Sequence, residues 1–188
     1  MSVVILGAGG HAKVVAEPFV GLMEVRMVGK NEEIKDHHDG ILIGIGDMRK
    51  RRELFEKYEK LVLNAIHENA VIGSDVSLGV GAQIMAGVVI QPGVRIGKNT
   101  IVNTSASVDH DCLIGAHCHI APGAILCGGV TIGDRTFIGA GSVITEGVTI
   151  GSDMFVPAGL VISKNGYCKR YRQHEESPPR PCDTEPPG

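Results

Sequence analysis

Between residues 66 and 162 an aliphatic side chain returns at every sixth position. Ile66, Ile72, Leu78, Ile84, Ile90, Ile96, Val102, Val108, Ile114, Ile120, Leu126, Ile132, Ile138, Ile144, Ile150, Val156 and Ile162 are all Ile, Leu or Val. From Ala70 on, a second column stands two residues ahead of the first and holds mostly small side chains, among them Ala82, Ala106, Cys112, Cys118, Ala124 and Ser142. Glycine often follows the aliphatic residue, as at Gly73, Gly97, Gly115 and Gly133. A period of six fits neither the 3.6 of a helix nor the alternation of a half-buried strand. Its physical reading is a β-helix, in which three hexads close one triangular coil. The aliphatic residue points inward, the small one sits near a corner, and Gly or Asn takes the turn dihedrals. Coils stack at one strand spacing, roughly 4.8 Å, so residues n and n+18 are spatial neighbours. The register never slips, which predicts about five coils without a protruding loop.

The first 64 residues follow another pattern. Ser2 to Leu6 is a short apolar run that leads into Gly7-Ala8-Gly9-Gly10-His11-Ala12 and then a helical stretch, Lys13 to Met23, with Pro18 predicting a kink or a late start. Strand, glycine-rich turn and helix form a cradle for a phosphate or nucleotide. Val25 to Val28 and Ile41 to Ile45 read as further strands, with Gly46 at the carboxyl end of the sheet, where open α/β sheets bind ligands. Met48 to Lys60 reads as an amphipathic helix burying Leu54, Phe55 and Tyr58, and Leu61 to Leu63 as a fourth strand. The expected organisation is a small βαβ, Rossmann-like domain over 1–64, a parallel β-helix over 65–166, and a tail over 167–188. Five of the nine prolines lie in the last twelve residues, which predicts a disordered tail.

Composition narrows the function. A net charge of −3 gives no basic footprint for nucleic acid. No apolar run is long enough to cross a bilayer, so a cytoplasmic protein without membrane attachment is expected. Cys112 and Cys118 occupy inward positions and read as packed thiols rather than metal or redox groups. His37-His38 reads as a solvated pair. Lys164 and Lys169 follow the repeat and read as solvated, with a cofactor phosphate as the lesser alternative.

The candidate chemistry lies within the repeat. His110, two residues past inward Val108, points outward near a corner and is followed by Asp111. An imidazole beside a carboxylate has a raised pKa and a fixed tautomer, suited to taking a proton near neutral pH. Stacking puts Pro92 below His110 and Gly128 above it, so that Gly128-Gly129 leaves room for a thin ligand. The spacings among His110, His117 and His119 are not those of a zinc triad, and no metal is expected.

Gly7-Ala8-Gly9-Gly10-His11, Ile45-Gly46-Asp47, Asn103-Thr104, His110-Asp111-Cys112, His119 to Ala124 and Gly128-Gly129-Val130 together resemble the bacterial hexapeptide-repeat nucleotide-sugar acetyltransferases, over roughly residues 1 to 162. The narrower resemblance is to members that N-acetylate a nucleotide-linked 4-amino-4,6-dideoxysugar; sialic acid O-acetyltransferases share the pattern. The resemblance implies a left-handed coil, active sites between neighbouring coils, and acetyl-CoA as co-substrate; the short outward side chains of the prism, which can pack closely around a three-fold axis, predict a homotrimer. It implies that His110 is the general base and Asp111 its acidic partner, and that His119, Gly128, Ala140 and Ala158 line the cofactor. It further implies that Gly9, Gly10, His11 and Gly46 hold the nucleotide-linked amino sugar. Three other readings are O-acetylation of a sugar hydroxyl, a metal hydratase like the γ-class carbonic anhydrases, and a noncatalytic nucleotide-binding trimer.

Overall fold

The computed structural model describes residues 2–19, 24–29, 39–163 and, as backbone, 169–170. The His37-His38 pair, Lys164, the Lys169 side chain and most of the expected tail lie outside the described residues.

The period of six becomes three parallel sheets wrapped around one aliphatic core. The first face stacks Ala65–Ile66, Gln83–Ile84, Ile101–Val102, His119–Ile120, Phe137–Ile138 and Met154–Val156. The second stacks Val71–Ile72, Val89–Ile90, Ser107–Val108, Ile125–Leu126, Val143–Ile144 and Val161–Ile162. The third stacks Ser77–Leu78, Arg95–Ile96, Leu113–Ile114, Thr131–Ile132 and Thr149–Ile150. Each residue pairs with the one eighteen further on, for example Val108 with Leu126 and Ile120 with Ile138. Lys169–Arg170 adds a short antiparallel strand to Met154–Val156 at the top of the first face.

From the second coil upward both inward columns are buried, except Met154 and Leu160 in the last coil, which are half-buried. The first coil is different: Ile66 and Ile72 are 40% and 37% exposed, because no coil lies beneath them. Where the small inward residue is polar, it bridges coils at the corner. Thr100 Oγ1 donates to the Gly115 carbonyl (2.8 Å) and accepts from Cys118 N–H (3.0 Å), and Thr136 and Ser142 repeat the device. Cys112 and Cys118 donate their thiols to the carbonyls of Cys127 and Gly133, both at 3.1 Å, and burial pushes each thiol up to about 11. They are packed, protonated groups.

The corners separate two kinds of glycine. The residue with turn dihedrals is not the glycine after the aliphatic residue. It lies three residues after the aliphatic one: every sixth residue from Asp75 to Gly159 has φ between 54° and 77°. Seven of these are not glycine, including Asn99, Asp111, His117 and Arg135, and left-handed geometry costs an L-residue about 1–2 kcal/mol. The glycine after the aliphatic residue answers to crowding instead. A Cβ on Gly97 would stand 2.5 Å from Ala116 N, in the backbone of the next coil.

The amino-terminal unit is a three-stranded parallel sheet in the order β2-β1-β3, with β1 at Ser2–Leu6, β2 at Glu24–Val28 and β3 at Gly40–Ile43. Helix α1 spans Gly10–Ala16, and Pro18 falls in the 3₁₀ turn Glu17–Phe19 that ends it. Helix α2 spans Met48–Tyr58, capped by Asp47, whose carboxylate accepts from Lys50 N–H at 2.8 Å. The expected fourth strand at Leu61 to Leu63 is absent. A 3₁₀ turn, Glu59–Leu61, is followed by a single bridge from Val62 to Ile41, since the chain must turn at once into the first coil. Among the described residues no helix is long and apolar enough to cross a membrane.

The two glycine columns make different demands, and substitution separates them. Gly97→Ala forces backbone apart between coils and is expected to destabilise by about 1–3 kcal/mol or more. Gly147→Ala, at φ 66° with nothing within 4 Å of the new Cβ, should cost only the left-handed penalty of about 1–2 kcal/mol. Urea denaturation of the two variants checks the order; equal costs would refute the crowding explanation.

Candidate functional site

His110 and Asp111 stand at the corner joining the second and third faces, residues 109–112. Asp111 has φ 58°, and this geometry turns its carboxylate back onto the preceding ring. His110 Nδ1 lies 2.9 Å from Asp111 Oδ2. A carboxylate only accepts, so Nδ1 carries the proton and the Nε2 lone pair is the basic site. Two missing side chains make room for the dyad. A Cβ on Gly93 would stand 2.6 Å from Asp111 Oδ1, and one on Gly128 would stand 2.7 Å from His110 Nε2. Asp109 steadies the turn by accepting from His110 N–H at 2.8 Å. The imidazole pKa is raised, chiefly by the hydrogen bond to Asp111 and next by the charge of Asp109.

The amino-terminal loops meet the prism on its first face and on the corner joining the third face to the first. Gly7, at φ 128°, and Gly44 are structural: a Cβ on Gly7 would strike the Gly44 carbonyl at 2.6 Å, and one on Gly44 would strike Ala12 Cα at 2.6 Å. Gly9 and Gly10 have nothing within 4 Å, and the nearest atom to a Cβ on Gly46 is 3.9 Å away, on His11. Those three glycines border open space, as a ligand-binding loop requires. The Gln83 amide joins the unit to the prism. Its Nε2 donates to the Ile43 carbonyl at 2.8 Å, which leaves Oε1 to accept from His11 Nε2 at 2.9 Å.

Up the first face, the outward positions 119, 137 and 155 form a ring ladder. His119 meets Phe137 edge-on with centroids 5.2 Å apart, and Phe137 stacks on Phe155 at 5.1 Å. His11 is tilted against His119 at 6.4 Å. Burial, aided by the charges of Arg51 and His11, lowers the His119 pKa to about 3, so this ring is neutral. The eighteen-residue spacing of Gln83, Ile101, His119, Phe137 and Phe155 was a sequence signal for this wall. Arg51, buried beneath Gly46, had no such signal. Among the described residues, no group of three or more His, Cys, Asp or Glu side chains is placed to hold a metal ion.

The structure thus gathers the sequence-derived residues into separate groups. His110, Asp111 and Gly128 share one corner. His11, Gly46 and His119 share the first face, across the prism from that corner. Ala140 and Ala158 stand exposed, one coil apart, on the corner between the first and second faces.

Two family models match the upper coils: "Bacterial transferase hexapeptide (six repeats)" over residues 111–146 and "Hexapeptide repeat of succinyl-transferase" over residues 129–164. Among solved structures, a histidine-to-asparagine mutant of perosamine N-acetyltransferase from Caulobacter crescentus, in complex with CoA and GDP-perosamine, is 38% identical. The match covers 88% of this chain and 90% of that one, with a TM-score of 0.82. The chain belongs to the hexapeptide-repeat nucleotide-sugar acetyltransferases. The acetyltransferase domain of PglB from Neisseria gonorrhoeae, in complex with acetyl coenzyme A, is similar at 32% identity over 87% of this chain and 91% of its own, with a TM-score of 0.78. WeeI from Acinetobacter baumannii, at 24% identity over 86% of this chain and 96% of its own, shares the fold with a TM-score of 0.66.

This acetyltransferase should lose stability in acid through His119. A histidine with an ordinary value of 6.5 unfolded and about 3 folded stabilises the folded state fully above pH 6.5 and progressively less as pH falls toward 3. The slope is about 1.4 kcal/mol per pH unit in that window. Urea unfolding between pH 7 and pH 4 measures it, and His119→Gln should flatten the curve by that amount. An unchanged slope in the variant would show that His119 protonates freely in the folded protein.

Proposed function

We propose that this chain transfers the acetyl group of acetyl-CoA to the amino group of a nucleotide-linked 4-amino-4,6-dideoxysugar. The observation that carries the reading is the His110–Asp111 dyad, with a basic Nε2 held over the empty side-chain position of Gly128. The relatives support it: the Caulobacter enzyme was solved with CoA and GDP-perosamine, and the Neisseria domain with acetyl coenzyme A.

In this reading the amine nitrogen attacks the thioester carbonyl directly. A C–N bond forms, His110 Nε2 takes the amine proton, and Asp111 holds the ring and stabilises the imidazolium. Collapse of the tetrahedral intermediate breaks the C–S bond, and the proton leaves with the CoA sulfur as the free thiol. Cys112 has no part in it, since its thiol is inward and protonated. Gly9, Gly10, His11 and Gly46 take the nucleotide sugar. Gly128, Ala140 and Ala158 take the cofactor with the wall around His119, and the coil is left-handed as in the family.

One chain does not bring these groups together, because the dyad lies across the prism from the first face. A homotrimer would do so. The outward column of the second face is Val71, Val89, Ser107, Ile125, Val143 and Val161, short and mostly apolar, with Val71 61% and Val161 66% exposed. Turning this face toward a three-fold axis sets the His110 corner of one copy against the corner bearing Asn103, Ala140 and Ala158 of the next. The neighbouring first and third faces then flank a cleft. On the third face a groove of about 400 Å³, lined by Arg95, Leu113, Thr131, Asp134 and Ser152, would open into it.

Replacing His110 with Ala should lower kcat by about 10²–10⁴-fold with little change in the KM for acetyl-CoA. Because the His110 pKa is raised, the wild-type rate should climb with pH through a value above 6.5, and Asp111→Asn should move that limb to lower pH. A near-normal kcat in His110→Ala would remove the base assignment.

The shared site has its own test. Gly10→Trp, facing open space within its own chain, should abolish acceptor binding while leaving the protein folded. Randomly mixed trimers of Gly10→Trp and His110→Ala subunits should then recover about one quarter of wild-type activity, since one interface in four pairs two intact halves. No recovery from verified mixed trimers would place the whole site within one chain.

A further inference from the structure

Arg51 is 0% exposed, yet among the described residues its guanidinium hydrogen-bonds to no carboxylate. It donates instead to four backbone carbonyls. Nη1 reaches Gly46 O at 3.2 Å, Nε reaches Asn99 O at 3.3 Å, and Nη2 reaches His117 O at 3.4 Å and Cys118 O at 3.0 Å. Asn99 and His117 are stacked turn residues, one coil apart, on the corner joining the third face to the first. Gly46 belongs to the loop that borders open space. A single planar group therefore ties the ligand-facing loop to two successive coils.

His119 approaches the same loop. The Asn103 amide is oriented by its neighbour: Oδ1 accepts Thr104 N–H at 2.8 Å, which leaves Nδ2 facing His119 Nε2 at 3.1 Å. An amide NH₂ only donates, so Nε2 accepts, and the proton of the neutral ring sits on Nδ1. Nδ1 is buried and has no hydrogen-bond partner among the described residues, and the Gly46 backbone acts on the same ring, raising its pKa slightly against the effect of burial. Arg51 spans this region directly, donating to Gly46 O on the loop and to Cys118 O, the residue before His119.

We propose that Arg51 is a positioning residue for the acceptor site, its fork of carbonyl contacts fixing the Gly46 loop against His119 and so setting the distance between the sugar-binding loop and the wall beside the acetyl group. The proposal rests on the reading of Gly46 as part of the acceptor site. Packing alone does not explain an arginine here, since an apolar side chain would fill the space without burying a charge. Burial lowers its pKa only to about 10, so it stays cationic near neutral pH. A lysine in its place would keep the charge but not the fork, because an ammonium is a compact point charge that does not reach in several fixed directions at once.

Arg51→Lys and Arg51→Met test it, with KM measured for both substrates and the His119 ring observed by long-range ¹⁵N correlation spectroscopy. In the wild type, His119 should appear as the Nδ1–H tautomer. Arg51→Lys should raise the KM for the nucleotide amino sugar by about tenfold while the KM for acetyl-CoA stays within about twofold, and His119 should become a mixture of tautomers. Arg51→Met, if it folds, should do the same to a larger extent. An unchanged acceptor KM in folded Arg51→Lys, equal rises in both KM values, or an Nε2–H tautomer in the wild type would each overturn the proposal. If the wild type turned over no nucleotide-linked amino sugar, the assigned activity would fall. The nitrogen spectra of wild type and Arg51→Lys would then still decide the role of Arg51.

Discussion

The structure depends on coils lying on one another at the spacing of a parallel sheet, roughly 4.8 Å. That contact leaves no room for a side chain where backbone meets backbone, hence the column through Gly97, Gly115 and Gly133. It also requires a reversal of direction every six residues, hence the left-handed corner at Asp75, Asn99, Asp111, His117 and their counterparts. With these met, a residue's number gives its height and its direction. The inward columns then assemble a continuous core from Ile84 to Ile162 without any large aromatic side chain.

The candidate dyad stands where the corner rule is kept by a residue that is not glycine. Asp111 takes the strained turn conformation, and its carboxylate thereby reaches the ring of the residue before it. Gly93 below and Gly128 above give up side chains so that the pair can stand between coils. The first face works by addition instead. Gln83 and Arg51 fasten a small α/β unit to it through amide and guanidinium contacts to backbone carbonyls, and the half-buried imidazoles of His11 and His119 are kept neutral in between. A carboxylate at one corner and burial on the opposite face thus drive the two histidine environments apart: His110 upward in pKa, His119 downward.

Much of this was legible in the residues. The inward columns, the place of His110 and the empty position at Gly128 follow from stacking arithmetic, because a strict repeat turns sequence distance into spatial distance. The α/β unit lacks that regularity, and its reading was coarser. The run at residues 61–63 is apolar enough for a strand, but only Val62 finds a bridge. Arg51 sits in the run Arg49-Lys50-Arg51-Arg52, four cations of equal helical merit. Which one is buried depends on how α2 docks against the corner, and nothing in the local pattern records that. A turn and a close approach favour the same residue, and only coordinates tell the two roles of glycine apart.

The unbroken register also limits how such a chain can change length. Losing one residue below His110 would turn inward side chains outward through every coil above. Losing six would restore the core but carry the dyad to the next corner round. Only a deletion of eighteen returns every side chain to its own direction, and it would lower the dyad by one coil, roughly 4.8 Å, relative to the α/β unit. Viable length variants should therefore come in whole coils, and the number of coils between Gln83 and His110 is itself a dimension of the candidate site.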